Sequence, residues 1–135
     1  MTDAHPLDAP ADPFAIAQTA AADIARLTGV DRHDIAVTLG SGWGKAAELI
    51  GETIAEVPAT EVTGFSKPAL AGHVGTIRSL RTAAGKAVLV IGARTHYYEG
   101  HGVRRVVHSV RTAAAAGLAL IRSCGMTVSI STELM

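Results

Sequence analysis

Apolar positions in the first thirty residues recur at helical spacing. Asp12-Pro13 supplies an N-cap followed by proline at the first helical position, and PFAIAQTAAADIARLTG runs to a stop at Gly29. Ile16, Ala20, Ile24 and Leu27 would form the buried stripe. The period then changes. After the turn VDRHD, the short run IAVTLG is rich in β-formers and predicts a buried strand. It leads into GSGWG, and KAAELIG continues as a helix. Between residues 52 and 72 Pro58, Gly64 and Pro68 mark turns, with a further strand predicted at ETIAEV. TIRSLRT and KAVLVIG predict two strands around the turn AAG, and GARTHYYEGHG leaves the second as a loop. VRRVVHSVRTAAAAG predicts a helix with Val103, Val106, Val107, Val110 and Ala114 on one face and Gly117 just past its end. LALI opens another buried strand.

This alternation predicts an α/β domain, and an apolar content made mostly of alanine and valine suits helices packed closely on a sheet. At 135 residues, 48% hydrophobic and 18% charged, the chain has the composition of one globular domain rather than a disordered segment. We expect residues 1–11 to be a flexible lead, 12–121 the body of that domain, and 122–135 a divergent tail. The tail, RSCGMTVSISTELM, reads either as solvated chain or as the mark of a larger segment cut away. Cys124 is the sole cysteine, which excludes an internal disulfide and a CxxC zinc pair and suits a reducing, cytoplasmic setting. The start MTDAHPLDAPADPF lacks the basic and apolar regions of a signal peptide, and no apolar run approaches the ~20 residues that span a bilayer. No membrane partner is expected.

Zero net charge hides a split. Residues 1–61 carry ten acids against three bases, whereas residues 78–122 carry eight bases against one acid, Glu99. The bases stand singly, without Lys/Arg runs or interleaved aromatics, so a nucleic-acid groove is not expected. They are either solvated faces or the surroundings of a small anion.

Three stretches carry chemistry. In GSGWG, Gly40 and Gly42 permit close backbone approach, Ser41 adds a hydroxyl, and the following helix offers unpaired N–H groups, which together make a phosphate cradle. A plain strand–helix turn is the bland alternative, and neither GxxxxGK[ST] nor GxGxxG is met. In AGHVG, His73 sits between two glycines at the start of a strand, either as a hydrogen-bonded structural histidine or as a ligand. In GARTHYYEG, Arg94 and His96 are two apart and would point the same way from an extended strand exit, with Tyr98 continuing the parity. The arginine fork suits bidentate phosphate contact and histidine adds a donor. Tyr98 could cover a sugar or base, and Glu99 could orient a histidine or hydrogen-bond back into the loop. A solvated loop explains the same residues. Six histidines (His5, His33, His73, His96, His101, His108) raise the question of a metal, but no HExxH or HxH occurs and no metal site is expected. GSGWG is not GxSxG, so Ser41 is not expected to be a nucleophile.

In the order GSGWG, AGHVG, ARTHYYEGH and VHSVRTAAAAG, the chain resembles the trimeric (6-oxopurine-type) purine nucleoside phosphorylases from about residue 14 to 121. The related methylthioadenosine phosphorylases share the cradle and the histidine but usually lack the YEG form. The resemblance implies a mixed sheet flanked by helices in a three-layer αβα arrangement, incomplete at the C-terminus. It implies a pentosyltransferase that uses inorganic phosphate to cleave purine ribo- or deoxyribonucleosides to base and pentose 1-phosphate, with no metal or organic cofactor, as a homotrimer. By carry-over Ser41, His73, Arg94, Thr95 and His96 would hold phosphate, Tyr98 would lie against the ribose, and His96 and Glu99 would serve catalysis. Ala93 stands where the family usually has glycine, and Ser109 replaces the proline of its PVR helix. Where the family continues with a TNAAGG-like turn this chain reads RSCGMTVSISTELM, so we expect a truncated or frame-shifted form, inactive or weak, without the family's purine-binding residues. A non-catalytic anion-binding remnant of the same fold is the alternative.

Overall fold

The computed structural model describes residues 5–8, 10–39, 44–66, 75–93, 95–117, 120–124 and 130–131. Helix α1 spans Pro13–Thr28. Asp12 caps it, its side chain accepting the Phe14 N–H at 3.0 Å, and Gly29 ends it at φ 73°, where a left-handed residue lets the last turn close. The fully buried positions are Ala17, Ala20, Ile24 and Thr28, while the expected Ile16 and Leu27 are half-buried. Thr28 belongs to the stripe because its hydroxyl donates back to the Ile24 carbonyl at 2.6 Å.

Strands β1 (Ile35–Leu39), β2 (Glu52–Pro58), β3 (Thr76–Arg81), β4 (Ala87–Ile91), β5 (Leu120–Cys124) and β6 (Ile130–Ser131) form one sheet in the order β2-β3-β4-β1-β5-β6. β1 runs parallel to β4 and β5, and the other pairs are antiparallel. The mixed sheet is therefore as expected. The tail is not simply solvated chain, since residues 122–124 belong to β5 and residues 130–131 add a strand beside it.

Alternation along the strands sorts side chains into two apolar layers. Ala36, Ile77, Leu89 and Ile91 face Ala20 and Ile24 of α1 and Ala113 of a later helix. Leu80, Val88 and Val90 face Leu39, Ala47 and Ile50 on the other side. Helices on both faces explain why every residue of β4 is buried. On the second face KAAELIG forms a 3-10 turn, Gly44–Ala46, and the short helix α2, Ala47–Ile50.

The segment VRRVVHSVRTAAAAG is not one helix. It forms α3 (Val103–Val106) and α4 (His108–Ala115), separated at Val107. The expected apolar face is also corrected: Val103 is 59% exposed and Ala114 is exposed, while His108, Thr112, Ala113 and Ala116 are buried, the side that meets Thr63 and α1. The N-terminal lead also differs from expectation. Leu7 is 1% exposed, and Asp8 pairs with Arg105.

Candidate functional site

Antiparallel pairing of β3 with β4, and parallel pairing of β4 with β1, place three strand ends side by side along one rim of the sheet. Ile77 is in register with Ile91, and Ile91 with Thr38. The start of β3 thus lies beside the ends of β4 and β1. A Cβ on Gly75 would come within 2.8 Å of the Ala93 Cβ, and one on Gly92 within 3.0 Å of the Thr76 carbonyl oxygen, so the two backbones nearly touch. GSGWG follows Leu39, AGHVG precedes Thr76, and ARTHYYEG follows Gly92. Ser41, His73 and Arg94 themselves lie outside the described residues.

His96, Tyr98 and Glu99 do not continue an extended exit. Tyr97–Glu99 form a 3-10 turn, with His96 as its N-cap in extended conformation and Gly100 closing it at φ 78°. The expected shared direction of His96 and Tyr98 along a strand is therefore corrected. A reciprocal cap drives the turn: Glu99 Oε1 accepts the His96 N–H at 2.8 Å, and the His96 side chain accepts the Glu99 N–H. An imidazole that accepts at one nitrogen holds its proton on the other. Tyr98 lies flat on the His96 ring, centroids 4.8 Å apart at 12°, with 82% of its surface exposed. Thr95 borders a shallow recess with Gly64, Phe65, Ala93, Arg105 and His108.

Beneath this edge lies a polar hub that the sequence did not single out. Asp23 of α1 accepts from both the Thr63 N–H, at 2.9 Å, and the Thr63 hydroxyl, at 2.6 Å. Burial pushes the Asp23 carboxyl upward, but the two Thr63 hydrogen bonds and Arg26 outweigh it and hold the group below the usual aspartate value. The Thr63 carbonyl accepts from His108 Nε2 at 2.8 Å, and Phe65 meets the His108 ring edge-on. Gly64 must be glycine, for its φ is +83° and a Cβ would sit 2.4 Å from His108 Nε2. Burial lowers the His108 pKa, opposed by the Thr63 hydrogen bond and aided by Arg111. This hub anchors the start of the segment that leads toward His73. Its sequence signal was only the helical spacing of His108 and Thr112.

A second cluster surrounds the turn. His101 Nε2 lies 3.6 Å from Glu99 Oε2, and His101 Nδ1 accepts from Arg105 Nη1 at 3.3 Å. Arg105 Nε donates to Asp8 Oδ1 at 2.9 Å, while its Nη2 meets Asp8 Oδ2. From sequence His101 is a candidate only for metal binding. Among the described residues no group of three or more His, Cys, Asp or Glu side chains is placed to hold a metal, and no helix is long and apolar enough to cross a membrane.

No protein-family model matches the chain. It is 57% identical over 128 residues to a purine nucleoside phosphorylase of Cellulomonas sp, with 89% of this chain and 45% of that protein aligned. It is 48% identical over 110 residues to the purine nucleoside phosphorylase of Mycobacterium leprae, covering 82% of this chain and 41% of the relative. Among solved structures, isoform 2 of the Schistosoma mansoni enzyme, in complex with cytosine and ribose-1-phosphate, superposes with a TM-score of 0.70 at 28% identity. That match covers 85% of this chain and 40% of the other. The chain thus spans less than half the length of the curated relatives it matches.

Proposed function

We infer that this chain, a relative of the purine nucleoside phosphorylases matching their N-terminal part, builds the phosphate-holding half of a nucleoside phosphorolysis site. What supports the reading is that the ends of β1 and β4 and the start of β3, the strands to which the three motifs are joined in sequence, lie side by side. Ser41 with its glycine cradle, His73 and Arg94 would reach the anion from three strand ends, with Thr95 assisting. His96 would donate from the nitrogen that holds its proton, held in place by Glu99. Tyr98, flat on His96 and open on its outer face, would lie against the ribose.

In the reaction a phosphate oxygen attacks the anomeric carbon, the glycosidic C–N bond breaks, and the purine leaves with the bonding electrons. Cleavage builds positive charge on the sugar, so a positioned dianion beneath it is both nucleophile and electrostatic partner. The protein's part is to hold and orient that dianion. No metal or organic cofactor enters this scheme. Homotrimeric assembly and a cytoplasmic setting belong to the same reading.

The same strand ends also fit a second, narrower reading: an anion-binding domain without turnover. Calorimetric titration with inorganic phosphate and an inosine or guanosine phosphorolysis assay separate the two. We expect phosphate binding that Arg94→Ala and His96→Ala weaken by roughly tenfold or more, with slight turnover at most. Binding without turnover supports the narrower reading. A folded chain with no phosphate affinity sinks both.

A further inference from the structure

We propose that the N-terminal strap around Leu7 and Asp8 positions His96, acting through Arg105, His101 and Glu99, and so sets affinity for the anion. The functional half of this inference rests on the phosphate reading above. Asp8, Arg105, His101 and Glu99 form a continuous chain of polar contacts ending on the His96 backbone. Arg105 divides its planar fork: Nε and Nη2 take both oxygens of Asp8, and Nη1 takes His101 Nδ1. Because Arg105 can only donate, His101 accepts at Nδ1, and its neutral ring carries the proton on Nε2. That nitrogen faces Glu99 Oε2 at 3.6 Å, too long for a hydrogen bond but within reach of a charge–dipole attraction. The other Glu99 oxygen receives the His96 N–H. The strap therefore biases the carboxylate that builds the His96 turn.

Exposed ion pairs alone contribute little. Two features lift this one above that default. Leu7, at 1% exposure, fixes the backbone beside Asp8, and the His5 ring adds a contact to Ser66 at 3.2 Å. The Arg105 side chain, for its part, is 15% exposed and committed to two partners at once. A lysine could not divide its contacts in this way.

The test uses the full chain with Asp8→Asn, Asp8→Glu, Arg105→Lys and His101→Gln. Amide exchange at His96, and the affinity for inorganic phosphate, are the readouts. Asp8→Asn, Arg105→Lys and His101→Gln should each speed His96 exchange and weaken phosphate binding by roughly threefold to tenfold, as expected for coupled neighbours. Asp8→Glu should restore both. Exchange across Pro13–Thr28 should not move, which separates positioning from a general loss of stability. Unchanged His96 exchange in Asp8→Asn and His101→Gln overturns the proposal, as does faster exchange with unaltered phosphate affinity. A parent chain that binds no phosphate yet shows the exchange response overturns the phosphate reading while the positioning of His96 stands.

Discussion

His33 and His108 are buried, and this should make stability sensitive to mild acid. His33 is 1% exposed and meets the Ser79 hydroxyl at 2.8 Å; burial lowers its pKa, opposed by Asp34 and aided by Arg81. His108 is lowered for the same leading reason. A histidine whose folded pKa lies below its unfolded value, near 6.5, is neutral in the fold and takes up a proton more readily when unfolded. Stability is then intact above that value and falls as pH drops below it. A pH series of thermal melts should show the midpoint falling between about pH 7 and 5, less steeply in His33→Gln. Gly64→Ala should destabilise by more than about 1 kcal/mol, because left-handed strain adds to the clash with His108. Denaturant unfolding measures it. These residues were hard to read in sequence because their roles depend on partners far along the chain: His33 finds Ser79, and Thr63 finds both Asp23 and His108. Ser41, His73 and the Arg-x-His stretch, by contrast, stand out locally as candidates because glycine flanks and clustered polar residues mark them.

At the level of elements, local signals worked where they were strong. Asp12-Pro13 and Gly29 bound α1 as their capping chemistry requires, and Asp12→Ala should lower stability by about 1 kcal/mol, read from the denaturation midpoint. The continuous apolar run of β4 announced burial on both faces. The segment after Gly102 is harder to read, because valines at helical spacing do not reveal which face is covered. Val107, at φ −91° and ψ 0°, interrupts the helix, and the buried face is chosen by the His108 hydrogen bond and by small residues against α1. The turn at Tyr97–Glu99 was hidden for a related reason: its reciprocal cap uses histidine, not the serine or threonine of the usual capping box.

Across the whole molecule, alternating strands and helices implied an α/β domain and the family resemblance implied a mixed sheet flanked by helices, but neither implied the strand order. Order depends on which edges meet, and only the register between distant segments reveals that. Leu89, fully buried in the layer beneath α1, is the natural probe of this core; Leu89→Ala should cost about 2–5 kcal/mol in chemical denaturation. The sheet's order also bears on how the chain comes to be folded. The central strand β1 leaves the ribosome before its partners β4 and β5, which lie roughly fifty and eighty-five positions later. Pairings of that span are slow to form and leave apolar edges open meanwhile. During synthesis β1 stays without its sheet neighbours until residues 87–91 emerge, so that interval is where we expect chaperone assistance to matter most.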